Sequence, residues 1–89
     1  MSAERRFVEN ARRLRKAQGR SAAWVARHAG WSKSNQTKFD SGQRRVWLDD
    51  AVRVSQILGV DLPVLMGELT DEEVDALATP KVEGVRNVR

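Results

Sequence analysis

Apolar residues recur along the chain at spacings of three and four, and nowhere alternate at period two for long enough to make a strand. Phe7, Ala11 and Leu14 form one stripe of a helix predicted from Ala3 to Ala17, whose other faces are rich in arginine. Ala22, Val25, Ala26 and Ala29 give the inward face of a second helix, capped by Ser21 and stopped at Gly30. A third helix starts from Ser32 as its cap and ends before Gly42. Leu48, Ala51, Val52, Ser55 and Leu58 share one face of a fourth, with Asp49 and Asp50 in the first turn, where the positive end of the helix dipole favours them, and Gly59 at its close. Asp61 and Pro63 open a short fifth helix carrying Leu62, Leu65 and Met66. Thr70 and Glu73 make a capping box before Val74 and Leu77 of a sixth. Gly19, Gly30, Gly42, Gly59 and Gly67 each follow a helical segment and are read as left-handed helix ends. From Lys81 to Arg89, beyond Thr79 and Pro80, no periodicity survives, and the segment reads as a mobile or extended tail.

Composition narrows what such a helical chain can do. Its 89 residues suffice for one modest core but not for a deep, water-excluding catalytic cavity, so a non-enzymatic role is expected. Cysteine is absent and His28 is the single histidine, which leaves no thiolate or imidazole cluster, and neither a metal nor a cofactor is called for. The carboxylates Asp71, Glu72, Glu73 and Asp75 are explained by capping and the helix dipole; no general-base partner or phosphate-cradling glycine loop accompanies them. No apolar run approaches the roughly 20 residues of a bilayer span, so no membrane role and a cytoplasmic, nucleoid-associated location are expected.

The net charge of +4 hides a division of sign along the chain. Residues 1–45 hold twelve Lys/Arg against Glu4, Glu9 and Asp40, whereas residues 46–80 hold Arg53 alone against eight carboxylates. A polyanion would attract the first part and repel the second, which orients a nucleic-acid binder, although two solvated faces of opposite sign would give the same counts. Arg5, Arg6, Arg12 and Arg13 suit either phosphate contact or simple solubility of the first helix.

Two short helices joined through Ala29-Gly30-Trp31-Ser32, with the small Ala26 where they cross, make a helix-turn-helix unit. On its second helix Lys33, Ser34, Thr37, Lys38 and Ser41 occupy one face and Phe39 the other. Such a polar face suits the major groove, where lysine donates to guanine O6 and N7 and hydroxyls serve base edges.

Here the chain resembles the phage repressor and Cro type of helix-turn-helix, also called the xenobiotic-response-element family. The likeness runs from Ala11 to Met66 through Ala11-Arg-Arg-Leu-Arg15, Ser21 to Ala26, Gly30-Trp-Ser32, Phe39-Asp40-Ser41-Gly42 and Leu48 to Asp61. It implies an all-α fold, a five-helix, lambda-repressor-like helix-turn-helix domain, which is placed over residues 1–67; the short acidic helix and flexible tail over residues 68–89 are read from the residues themselves. It also implies base contacts from Lys33, Ser34, Thr37, Lys38 and Ser41. Phosphate contacts are implied for Ser21, Ala22, Ser32, Gln43, Arg44 and Arg45, and a structural ion pair for Arg15 with Asp40. Four positions depart from the family pattern: Ala22 where glutamine is usual, Gln36 where an inward aliphatic residue is usual, Arg20 at an apolar place and Trp47 at a small helix cap. Gln36 would cost about 1 to 3 kcal/mol if buried unpaired, so it either finds a partner or the third helix sits differently.

The expected function is a transcriptional regulator, a repressor or Cro-like protein, binding double-stranded DNA as a homodimer. The alternative is a protein-interaction module of the same fold, antitoxin-like or accessory, with only non-specific DNA affinity and a protein partner held by the acidic half or the tryptophans. Trp24 is read as facing outward and Trp31 as a turn residue packed over the core.

Overall fold

The structure is a computed structural model that describes residues 2–43 and 45–78. Those residues form six helices: α1 (Ala3–Ala17), α2 (Ala22–Ala29), α3 (Lys33–Asp40), α4 (Leu48–Leu58), α5 (Leu62–Met66) and α6 (Asp71–Ala78). The expected all-α architecture is therefore present. The tail after Ala78 and Arg44 lie outside the described residues.

The core is built around α1, which packs against α3, α4, α5 and α6, while α2 packs on α3 and α4. Phe7, Ala11 and Leu14 are buried as their spacing predicts, joined by Val8, Val25, Phe39, Val54, Leu58, Leu65 and Val74. Val74 brings α6 into the same core as the first five helices. Each of α1, α2 and α3 starts at a serine, Ser2, Ser21 or Ser32, whose Oγ accepts a backbone N–H three residues on. That bond satisfies one of the orphan donors of the first turn. The α6 capping box is complete: the Glu73 N–H donates to Thr70 Oγ1 at 3.1 Å and the Thr70 N–H to Glu73 Oε1 at 2.8 Å.

Two expectations are corrected. The inward face of α4 is rotated from the one the apolar pattern indicates: Ala51, Val54, Ser55 and Leu58 are buried, but Leu48 and Val52 are exposed. A pattern of apolar letters marks which faces prefer burial, and neighbouring helices decide which are covered. On α5, which carries Met66 as expected, that residue is exposed and Leu65 beside it is fully enclosed. Gly67 has φ −92° and ψ −176°, so it leaves α5 in extended backbone, not left-handed.

Buried polar groups tie the helices together. Asn10 donates through Nδ2 to the carbonyls of Leu65 (2.8 Å) and Gly67 (2.7 Å), and accepts from Arg13 Nη1 at 3.2 Å. The Arg13 guanidinium continues to Asp71 of α6 at 2.9 Å. Gln18 Nε2 donates to the Leu58 carbonyl at the end of α4 (2.9 Å), and Arg53 Nη1 to the Ala29 carbonyl at the end of α2 (3.2 Å). Helix-terminal carbonyls lack intrahelical partners, so each bond removes a desolvation penalty while fixing one helix on another.

Candidate nucleic-acid interface

The turn between α2 and α3 is fixed by backbone geometry. Gly30 adopts φ +75° and ψ +27°, which lets its own N–H reach Arg27 O at 3.3 Å and the Trp31 N–H reach Ala26 O at 2.9 Å. A β-carbon there would meet open space but not a permitted backbone, so glycine is needed for its conformation and not for room. Trp31 then folds over the core edge with its ring 4.8 Å from that of Phe39, and Phe39 meets Phe7 edge-on at 6.4 Å. These aromatic contacts hold the underside of α3.

The outer side of α3 is polar. Lys33, Ser34, Thr37 and Lys38 are exposed on the helix, and Ser41 is exposed at its C-terminal cap. Among the described residues no ion pair or side-chain partner engages either lysine ammonium. Thr37 Oγ1 donates to Lys33 O at 3.1 Å and Ser41 Oγ to Lys38 O at 3.3 Å, which fixes both hydroxyls near the helix and leaves acceptor lone pairs outward. Eight residues at about 1.5 Å each give α3 a length of about 12 Å, close to the width of a major groove.

Of the positions implied for phosphate contact, Arg44 lies outside the described residues, and the others lie at or just beyond the ends of α2 and α3. Ser21 Oγ accepts the Trp24 N–H at 3.0 Å and Ser32 Oγ the Asn35 N–H at 3.2 Å, so each hydroxyl keeps its proton to donate. Ala22 is half-buried in the first turn of α2. Gln43 and Arg45 are exposed in the loop leaving α3, where the Gln43 N–H bonds Lys38 O at 2.9 Å and the Arg45 guanidinium lies 5.7 Å from the Trp47 ring centre.

Arg15 fastens this unit to α1. Its side chain is buried, with Nη1 donating to Arg20 O at 2.8 Å and Nη2 lying 3.3 Å from Asp40 Oδ2, so one guanidinium spans the α1–α2 loop and the end of α3. Gln36 is half-buried at the edge of the packing between α1, α2 and α3, and among the described residues the fully buried side-chain atoms without partners are Arg12 Nε and Gln18 Oε1. Partial exposure leaves the Gln36 amide within reach of water, so it does not carry the cost of a fully buried unpaired group.

Two features escaped the sequence. Arg20, Trp24 and His28 form a stack on the outside of α2: the guanidinium lies 4.1 Å above the indole, the imidazole ring centre is 4.0 Å from it, and His28 Nδ1 is 2.8 Å from Trp24 O. The i, i+4, i+8 spacing of these residues was the available signal. Asn10 had no such signal, because its partners are backbone atoms 55 and 57 residues away.

A family model described as a helix-turn-helix domain matches residues 6–77. The chain belongs to that family, whose helix-turn-helix is the pair α2 and α3. It is a DNA-binding regulator in that broad sense, with double-stranded DNA as its ligand. No match to the chain occurs among curated proteins or among solved structures. No helix among the described residues is long and apolar enough to cross a membrane.

Proposed function

We propose that the protein is a sequence-specific transcriptional repressor, Cro-like in its use of α3 as the reading helix, binding as a symmetric dimer on half-sites about 34 Å apart. One observation carries the reading: α3 turns Lys33, Ser34, Thr37 and Lys38 outward while Phe39 anchors its other side. The lysines donate to guanine O6 and N7, and the hydroxyls and the Thr37 methyl meet base edges or thymine, with Ser41 at the far end. Ser21, the Ala22 amide, Ser32, Gln43, Arg44 and Arg45 hold phosphates, which supply affinity and register but no sequence information. Arg15 and Asp40 position α3 and touch no DNA.

The test is fluorescence anisotropy on duplex from upstream of the gene and on scrambled duplex, at two salt concentrations. A preference of about 10³ or more with a steep salt slope is expected. Equal, weak binding to both would instead favour a second reading, a protein-interaction module, which the half-buried Trp24 in its stack with Arg20 and His28 supports. That reading requires a stoichiometric protein partner together with DNA affinity in the non-specific range of about 10⁻⁴ to 10⁻⁶ M.

A further inference from the structure

The exposed side of α3 presents one methyl group. Lys33, Ser34, Thr37, Lys38 and Ser41 are all exposed, and of these Thr37 alone ends in an apolar branch. It sits in the middle of the face, with Lys33 one turn before it, Lys38 directly after it and Ser41 one turn beyond. The two branches of its β-carbon have different fates. Oγ1 donates its proton to the Lys33 carbonyl of the preceding turn at 3.1 Å, which draws the hydroxyl against the helix. A β-branched side chain has few rotamers, so fixing the hydroxyl also fixes the Cγ2 methyl, which is then the part of Thr37 offered to a ligand.

We propose that Thr37 reads the C5-methyl of a pyrimidine through its own methyl, so that each half-site holds one base at which binding depends on C5 methylation; the inference rests on the reading of α3 as the DNA-reading helix. The chemistry of the neighbours selects the base. In the major groove thymine carries an O4 acceptor beside its C5-methyl, and no other standard DNA base offers that pair. Lys33 and Lys38 place donors on either side of Thr37, and no carboxylate among the described residues engages them. One ammonium on O4 and the Thr37 methyl on the C5-methyl together match the thymine edge in both of its groups. Adenine or cytosine at the same place brings an exocyclic amino group, whose N–H bonds point toward the two ammonium groups. With its proton committed to the Lys33 carbonyl, the Thr37 hydroxyl can only accept, so it has nothing to give the O4 of thymine or the O6 of guanine. Ser34 and Ser41 lack the methyl and cannot stand in. The same chemistry extends to 5-methylcytosine, which keeps the C5-methyl without O4 and therefore ranks above cytosine and below thymine.

Selection from a randomised duplex library gives the sites that the full chain prefers, and replacing each thymine in turn by deoxyuridine then removes a methyl and nothing else. Fluorescence anisotropy should show one position per half-site where that change weakens binding about fourfold, the worth of one buried methyl group. At that position 5-methylcytosine should bind about fourfold tighter than cytosine. Thr37→Val keeps a methyl and discards the hydroxyl, and should retain the uracil penalty; Thr37→Ser keeps the hydroxyl alone, and should bind thymine and uracil sites alike. Both changes fall at an exposed position, and the uracil scan needs no variant at all, so loss of the fold cannot imitate the result. A wild-type protein indifferent to every uracil overturns the proposal, as does a penalty that Thr37→Ser retains in full or one that Thr37→Val abolishes. If the selection returns no preferred sequence, or the same sequence for wild type, Lys33→Ala and Lys38→Ala, the reading by α3 falls and this inference with it. A preferred sequence that the lysine variants alter, but that no uracil disturbs, leaves the reading by α3 standing and overturns the role of Thr37 alone.

Discussion

Helices α1 and α3 are both rich in cations, yet they use them differently. On α1, Arg6 lies 3.9 Å from Glu68, Arg12 3.2 Å from Glu9, Arg13 2.9 Å from Asp71 and Arg15 3.3 Å from Asp40. On α3, no carboxylate among the described residues pairs with Lys33 or Lys38. These arginines of α1 serve the fold, two of them by binding the acidic segment that includes α6; the lysines of α3 are left for a ligand. A count of basic residues in the first half of the chain therefore overstates the charge available to DNA, and pairing, not abundance, distinguishes a binding face from a solvated one.

The sharpest way to break this contrast is Arg15→Ala. It strips hydrogen bonds from the Arg20 carbonyl and from Asp40, and because Asp40 is partly solvated the expected loss is about 2 to 3 kcal/mol in denaturant unfolding, below that of a fully buried pair. An unchanged midpoint would mean that α3 is held by its aromatic underside alone. Next in size, Lys33→Ala and Lys38→Ala should leave stability within about 0.5 kcal/mol and lower discrimination between cognate and altered sites by about 1 to 3 kcal/mol, read by anisotropy. Equal losses on every sequence would falsify their base-reading role. Arg45→Ala, and Arg44→Ala in the same loop, should weaken all duplexes alike and reduce the salt slope by about one for each phosphate left without its cation. Arg6→Ala should change stability by no more than about 0.5 kcal/mol, since its partner Glu68 is almost fully exposed and 3.9 Å away.

The smallest effect is a pH dependence at α6. Hydrogen bonds from the Thr70 backbone N–H, and then from its side chain, hold the Glu73 carboxyl below its usual range. A carboxyl depressed in the folded state stabilises above its unfolded pKa and loses that contribution as pH falls through the folded value. Helicity of α6 followed by amide exchange should therefore weaken on acidification, and Glu73→Gln should flatten that dependence. An identical acid profile in the variant would assign the loss to other carboxylates.

Much of the reading unit is legible in the chain itself. Caps at Ser21 and Ser32, the stop at Gly30, and the division between Phe39 and the polar residues of α3 all involve residues within one or two helical turns, so local chemistry suffices. The apolar pattern misassigns the α4 face because Leu48 and Val52 have the same character as Ala51 and Val54, and only the positions of α1, α2 and α5 decide which pair is covered. Asn10 is silent for a related reason: a single polar residue on an apolar stripe carries no mark of the two distant carbonyls it will meet.

Sequence by itself determined six helices, the serine caps of α2 and α3, the stop at Gly30, the central stripe of α1 and the polar face of α3, because each follows from the 3.6-residue period and from side chains that compete for nearby backbone groups. Tertiary structure decided which cations are neutralised, how Gln36 escapes full burial, and which apolar residues remain outside. Those outcomes depend on distances between groups far apart in the chain, and burial and pairing energies exist only once the helices have met.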